Sequence, residues 1–379
     1  MIILGIETSC DETAASLVQD GTKILSNIVA SSQELHIKTG GIIPEVAARE
    51  QIKCIVPVIE EALTSKIYNL KSNIDAIAVT IGPGLIGSLL VGVETAKTLA
   101  YLWNKPIIAV NHLLAHVYAN FLQHPSSIIH HPVFPALALI ASGGHTELIL
   151  TKSHGKYKWI GGTRDDAAGE CFDKCARLLN LGYPGGPAIA AEADKPITHN
   201  SKLITHLPRP MINSDDFDFS FSGLKTAVLR EVKKLPITPA CAPASGGASA
   251  GRHNSELITT LAFETQEAIT DVLVEKTLRA AKKYQVESIL LAGGVAANQV
   301  LRKKFQVLSF KSQVNFFAPP KNLCTDNAAC VASCAYFSPR ANQPWAGNFS
   351  PIPPPAKAYS LGRWRTGWKK IQALPSLGL

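Results

Sequence analysis

Charge is scarce in this 379-residue sequence: only 17% of residues are charged, against 46% hydrophobic. That balance excludes an intrinsically disordered chain and permits a large buried core. Long apolar runs are also missing. Nothing approaches the roughly 18 residues of a spanning helix, and the stretch from Val133 to Ala141 is short and broken by Pro135. The opening MIILGIETSC has no basic n-region and no small-residue cleavage site, so no signal peptide is expected. None of the eight cysteines forms a CxxC pair, which argues against a zinc knuckle. Cys171/Cys175 and Cys330/Cys334 lie one helical turn apart and read as small buried residues. A reducing, cytoplasmic compartment is the expectation, with no membrane partner. GxxxxGK[ST] does not occur, which argues against P-loop NTPases.

What is present is a basic balance, 37 Lys and Arg against 29 Asp and Glu, net +8. An anionic polymer is the natural partner for such a chain. The excess is uneven. Arg340, Lys357, Arg363, Arg365, Lys369 and Lys370 fall in a Pro-rich stretch, 338–379, that has no acid and interleaves Trp364 and Trp368. Aromatic rings among cations suit stacking on bases and neutralising phosphates.

Along the chain, strand-like and helix-like segments alternate twice in one order. Strands at Ile2–Glu7, Ala14–Gln19 and Lys23–Ala30 precede a helix from Pro44 to about Leu63. Strand Ile74–Ile81, helix Ile86–Trp103, strand Ile107–Val110 and helix His112–Leu122 follow. The order restarts with strands Ala136–Ala141, Thr146–Thr151 and Tyr157–Ile160 and a helix at Asp166–Asn180. A long helix Ser255–Lys283, strand Ser288–Leu291, helix Asn298–Leu308, strand Gln313–Phe317 and helix Asp326–Phe337 complete it. Two α/β lobes with a cleft between them are predicted. The first spans 1–122, a loop 123–133, the second 134–337 with a flexible insertion at 236–254 rich in Pro, Ala, Ser and Gly, and the basic tail 338–379.

Three constellations carry chemistry. His112 and His116 are four apart, so on a helix both imidazoles leave one face, a geometry suited to a metal. Zinc peptidases of the HExxH type need a glutamate after the first histidine; Leu113 stands there. Asp326, at the start of the last helix, offers a carboxylate, although a helix cap is its ordinary role. Two histidines and a carboxylate leave open positions on iron(II) or zinc. The second constellation is glycine-rich: Ile140-Ala141-Ser142-Gly143-Gly144, Gly185-Gly186 and Gly293-Gly294 ahead of Asn298. Small residues at strand and helix ends let backbone N–H groups approach a phosphate. The third is the acidic run Asp165-Asp166 through Asp173. Its first two acids read as caps of the helix that follows, and Asp173 as a partner for a ribose hydroxyl.

Taken in order, GIETSCDET (5–13), GPGL (82–85), NHLLAH (111–116), SGGHT (142–146), DDAAGECFDK (165–174), YPGGP (183–187), DFSFSGLKTA (218–227), AGGVAAN (292–298) and CTDN (324–327) resemble one family. It is the bacterial TsaD family of tRNA adenosine threonylcarbamoyltransferases. The resemblance covers about residues 1–337. It implies an actin-like ATPase fold of the sugar kinase and Hsp70 type, with two ribonuclease-H-like lobes and a central cleft. It implies that His112, His116 and Asp326 hold one divalent metal, Fe(2+) first and Zn(2+) second. It implies that Ile140, Ala141, Ser142, Gly143, Gly144, Asp173, Gly186 and Asn298 bind the adenylate-bearing substrate. The reaction implied moves a threonylcarbamoyl group from threonylcarbamoyl-AMP to the exocyclic amine of adenosine-37 in tRNAs reading codons that begin with A. TsaB-like and TsaE-like proteins are the partners implied. Glu12 and Asp11 are the candidates for taking the amine proton. Gln51 departs from the family, where histidine is usual. Two alternatives stand beside this reading: a carbamoyltransferase of the same fold with another acceptor, and a non-catalytic TsaB-like scaffold.

Overall fold

The structure, a computed structural model, describes residues 1–37, 41–64, 73–123, 131–196, 206–234, 248–338 and 371–378, with the backbone alone for 248–254. The first sheet is built from β1 (Ile2–Glu7), β2 (Glu12–Gln19), β3 (Lys23–Ser31), β4 (Ala76–Gly82) and β5 (Ile107–Asn111). β1 to β3 form an antiparallel meander, and β4 and β5 join β1 in parallel. The turn from β2 to β3 places Asp20 and Gly21 at positive φ, as the Asp-Gly pair demands. Helices α1 (Gln33–Ile37), α2 (Pro44–Thr64), α3 (Ile86–Trp103) and α4 (His112–Tyr118) connect and cover the strands.

The second sheet holds β6 (Ala136–Ala141), β7 (Thr146–Ser153), β8 (Lys156–Gly162), β9 (Ser288–Ala292) and β10 (Asn315–Phe317). Its helices are α5 (Ala168–Leu178), α6 (Gly185–Ala193), α7 (Ser222–Lys233), α8 (Ala248–Tyr284), α9 (Gln299–Lys311) and α10 (Ala328–Phe337). The strand orders are β3-β2-β1-β4-β5 and β8-β7-β6-β9-β10. Each sheet therefore has its first strand at the centre, a meander on one side and parallel crossovers on the other. This duplicated ribonuclease-H-like sheet is the actin-like ATPase architecture. Its central strands are buried on both faces, which is why they read as unbroken apolar runs.

The lobes share a core. Ile3, Ala78 and Val110 of the first sheet pack in one cluster with α4, with Ala138 and Leu290 of the second, and with α10. Although its place in the sequence groups it with the second lobe, α10 lies against β1, β2 and α4. The backbone of Gly5 meets Ala328 and Ala332, and Ser333 Oγ donates to Gly21 O at 2.6 Å. The periodicity of α10 marks it as a helix but says nothing of which sheet it covers.

Further boundaries differ from expectation. α8 begins at Ala248, so the end of the expected insertion 236–254 is helical in its backbone, and 236–247 lies outside the described residues. The helix expected to reach Leu122 stops at Tyr118 and passes into a short 3-10 turn, Ala119–Phe121. Most of the tail, 339–370, also lies outside the described residues. Residues 371–378 are seated on the first lobe. Ile371 is buried in its core, Leu374 N donates to Ile81 O at 2.6 Å, and Gly84 N donates to Pro375 O at 3.2 Å. Gly82, at φ +152, faces the Leu374 carbonyl so closely that a Cβ could not be placed there.

Candidate metal centre and facing rim

The metal-type residues are brought together from opposite ends of the chain. β5 ends at Asn111, whose side chain accepts from Leu113 N at 2.9 Å and Leu114 N at 3.1 Å. This N-cap fixes the start of α4 and with it His112. Asp326 is not the cap of α10. Asn327 has that role, accepting from Cys330 N at 3.2 Å, and the Asp326 carboxylate turns to α4 instead. Its Oδ1 lies 3.2 Å from His116 Nε2 and 3.8 Å from His112 Nε2. One ligand atom from each of the three residues falls within 4.8 Å of the others. Both histidines are buried, and His116 Nε2 is a buried ring nitrogen with no hydrogen-bond partner despite the nearby carboxylate. An orphaned nitrogen of this kind is costly in a sealed site and suits a metal ion as its missing partner. Two imidazoles and a carboxylate are a donor set for Fe(2+) or Zn(2+).

Burial drives the His112 pKa down, but Asp326 and Glu7 outweigh it and push it up to about 9. Burial drives Asp326 up, and His112, His116 and Ser9 hold it far below the usual carboxylate range. Ser9 Oγ lies 3.1 Å from His112 Nδ1 and 3.5 Å from Asp326 Oδ2.

The acidic turn beside the triad is stapled. Gln51 Nε2 donates to Cys10 O at 2.9 Å, Glu12 O at 3.0 Å and Thr8 O at 3.4 Å. Gln51 thus gives the turn a two-hydrogen amide donor. Burial, then Asp326 and Asp11, push the Glu12 carboxyl well above its ordinary value. Asp11 is the second acid of this turn.

The glycine residues line the facing rim of the second lobe. Ile140 and Ala141 end β6 fully buried, in register with Glu147 and Thr146 of β7. Ser142 N donates to His145 O at 2.8 Å to close the turn, and Gly143 and Gly144 face open space. Gly169 N, at the start of α5, donates to Ser142 O at 3.1 Å. Gly293, at φ +85, packs on the Ala141 carbonyl and ties β9 to this rim. Asp173 Oδ1 accepts from Gly185 N at 2.6 Å, which draws the start of α6 and Gly186 alongside. Asn298 caps α9, accepting from Leu301 N at 2.9 Å, and donates to Gln266 Oε1 at 2.8 Å.

Two residues to which sequence spacing gives no role feel charges from both lobes. Burial, then His112 and His116, push His145 down to about 4 against the opposing pull of Asp326, so the SGGH turn lies within electrostatic reach of the triad. Burial, then Asp173, Asp11, Cys10 and Glu12, push the Tyr183 phenol up to about 12. Asp165 and Asp166 do not cap α5, whose N-cap is Ala167. Asp165 accepts from Phe221 N and Ser222 N and so caps α7, while Lys174 and Lys225 pair with Asp166. The DFSFSGLKT segment is thereby tied to α5.

The family model described as "TsaD: tRNA N6-adenosine threonylcarbamoyltransferase" matches residues 23–333. A tRNA N6-adenosine threonylcarbamoyltransferase of Thermomicrobium roseum is 51% identical over 345 residues, covering 89% of this chain and 92% of its own. That of Kosmotoga olearia is 44% identical over 352 residues, covering 93% and 96%. Among solved structures, component A of the (R)-2-hydroxyglutaryl-CoA dehydratase of Acidaminococcus fermentans is 16% identical, with a TM-score of 0.47, covering 89% of this chain and 98% of its own. With the family matched over most of its length, the chain is a transferase of the TsaD family, the tRNA N6-adenosine threonylcarbamoyltransferases.

Proposed function

We propose that the protein transfers the threonylcarbamoyl group from threonylcarbamoyl-AMP to N6 of adenosine-37 in tRNAs reading codons that begin with A, releasing AMP. The observation that carries this reading is the meeting of His112, His116 and Asp326 opposite a glycine-lined rim. A metal supports an acyl transfer, and the open space at Gly143, Gly144 and Gly186 supports an adenylate leaving group.

His112, His116 and Asp326 would hold the metal, Fe(2+) or Zn(2+). Bound there, it supplies Lewis acidity toward the carbonyl that is transferred. The remaining steps belong to the chain. The backbone of Ile140–Gly144 and the first turn of α6 at Gly186 orient the phosphate. Asp173, with Oδ1 occupied by Gly185 N, has Oδ2 for a ribose hydroxyl. Asn298 sets the start of α9 at the same rim. Glu12, with its raised proton affinity, takes the proton from the attacking amine, and Asp11 beside it sustains that affinity. Much of the acceleration is positioning. The acceptor base lies in a loop and can be splayed out of its stack.

The setting is cytoplasmic. TsaB-like and TsaE-like proteins complete the system in this reading, and no described helix is long and apolar enough to cross a membrane. The test is to incubate metal-loaded protein and both partners with threonylcarbamoyl-AMP and unmodified tRNA. Threonylcarbamoyladenosine should appear at position 37 with one AMP per transfer. Consumption of carbamoyl phosphate instead would favour the carbamoyltransferase, and no transfer in the complete system would favour the scaffold.

A further inference from the structure

Glu7 is 1% exposed at the end of β1, and the partners of its carboxylate are few and specific. Oε1 accepts from Ser9 N at 2.6 Å, and Oε2 accepts from Thr80 Oγ1 of β4 at 2.5 Å. The same Oε2 lies 3.4 Å from His112 Nδ1. The other nitrogen of that ring, Nε2, faces Asp326. The imidazole is thus read from both edges, by Glu7 and Ser9 on Nδ1 and by the triad on Nε2. A carboxylate in this position would be expensive if it served only to close a turn. Its value lies in what it fixes. Only a proton on Nδ1 satisfies Glu7, and that leaves the Nε2 lone pair directed at the triad.

We propose that Glu7 is a positioning residue of the metal centre: its carboxylate, held by Thr80 and Ser9 N, selects the His112 tautomer and ring orientation that present Nε2 to the metal. The proposal rests on the metal reading given above. A histidine ligand whose other nitrogen is held by a carboxylate is a recurring arrangement, and losing such a partner costs about 10–100-fold in metal affinity. Glu7→Gln is nearly isosteric, but its amide can donate to Nδ1 and so stabilise the opposite tautomer. Thr80→Val keeps Glu7 and removes the hydroxyl that aims it.

The experiment uses the full chain, stripped of metal and titrated with Zn(2+) against a chelator, and separately with Co(2+) while the d–d absorption is recorded. Glu7→Gln is expected to weaken Zn(2+) binding by about 10–100-fold and to alter the Co(2+) spectrum. Thr80→Val should move both in the same direction by a smaller factor. The metal-free melting temperature separates this role from a structural one. Variants that melt lower without metal, yet bind Zn(2+) as the parent does and give its Co(2+) spectrum, would make Glu7 a staple of strand ends and overturn the proposal. If Glu7→Gln does not fold, Thr80→Val decides by the same two readings. A parent protein that takes up neither ion overturns the metal reading itself, and this proposal with it.

Discussion

His112 is where the chemistry of the site is most exposed to measurement. Replacing His112 by Ala, or Asp326 by Ala, removes one of three donors. Metal content by elemental analysis should fall from near one equivalent to near zero, and transfer should fall with it. Proton linkage gives a second prediction. In the metal-free protein the His112 pKa lies at about 9, above its ordinary value of 6.5. A group whose folded pKa is raised contributes stability that is complete below the unfolded value and is lost as pH rises through the folded one. The metal-free melting temperature should therefore fall between pH 6.5 and 9, and that fall should shrink in His112→Ala. Metal binding must displace the same proton, so ion uptake at neutral pH should release acid into a weakly buffered solution. At Gln51, substitution by Ala removes the donor shared by three carbonyls of the 8–12 turn. Activity should fall while Zn(2+) binding persists, because Gln51 touches the Glu12 turn and not the triad.

Among the elements, α4 depends on its cap. Asn111→Ala is expected to cost about 1 kcal/mol of stability, measurable by denaturant unfolding, and to loosen the histidine spacing in a helix of only seven residues. The local part of this site was legible in the sequence. The spacing of His112 and His116 implies a shared face from helix geometry alone. The partnership with Asp326 was not, because it depends on α10 crossing to the first sheet, and family resemblance alone pointed to it. The identity of the cap was likewise open: Asp326 and Asn327 are both good caps, and only the fold assigns the task to Asn327. α6 and α7 escaped notice because their starts, Gly185-Gly186 and Ser222-Gly223, carry the marks of turns. The cap of α7 comes from Asp165, on a different segment, and no local pattern encodes that. Gln51 owes its role to long-range hydrogen bonds in the same way.

For the whole molecule, the positive charge excess has two addresses. Six of its eight units lie in 338–379, and residues 371–378 of that stretch are part of the first lobe. Deleting the entire tail would therefore remove packing along with charge. The cleaner test replaces Arg363, Arg365, Lys369 and Lys370 by Ala. tRNA affinity should weaken, and the slope of log K against log salt should flatten by about 0.7–0.9 for each phosphate that is no longer neutralised. Unchanged affinity at low and moderate salt would remove the tail from the tRNA surface.

The return of α10 to the first sheet also bears on how the chain emerges from the ribosome. β1 and β2 are made about 300 residues before the helix that covers them. Until residue 338 has cleared the exit tunnel, Gly5 and the apolar face around Ile3 have no partner from α10. The ordinary order, N-terminal unit first, is thus suspended: the first lobe is completed only after the second has been synthesised. A nascent chain arrested at residue 320 should remain sensitive to proteases in residues 1–31, and one arrested beyond the point where α10 is free should not.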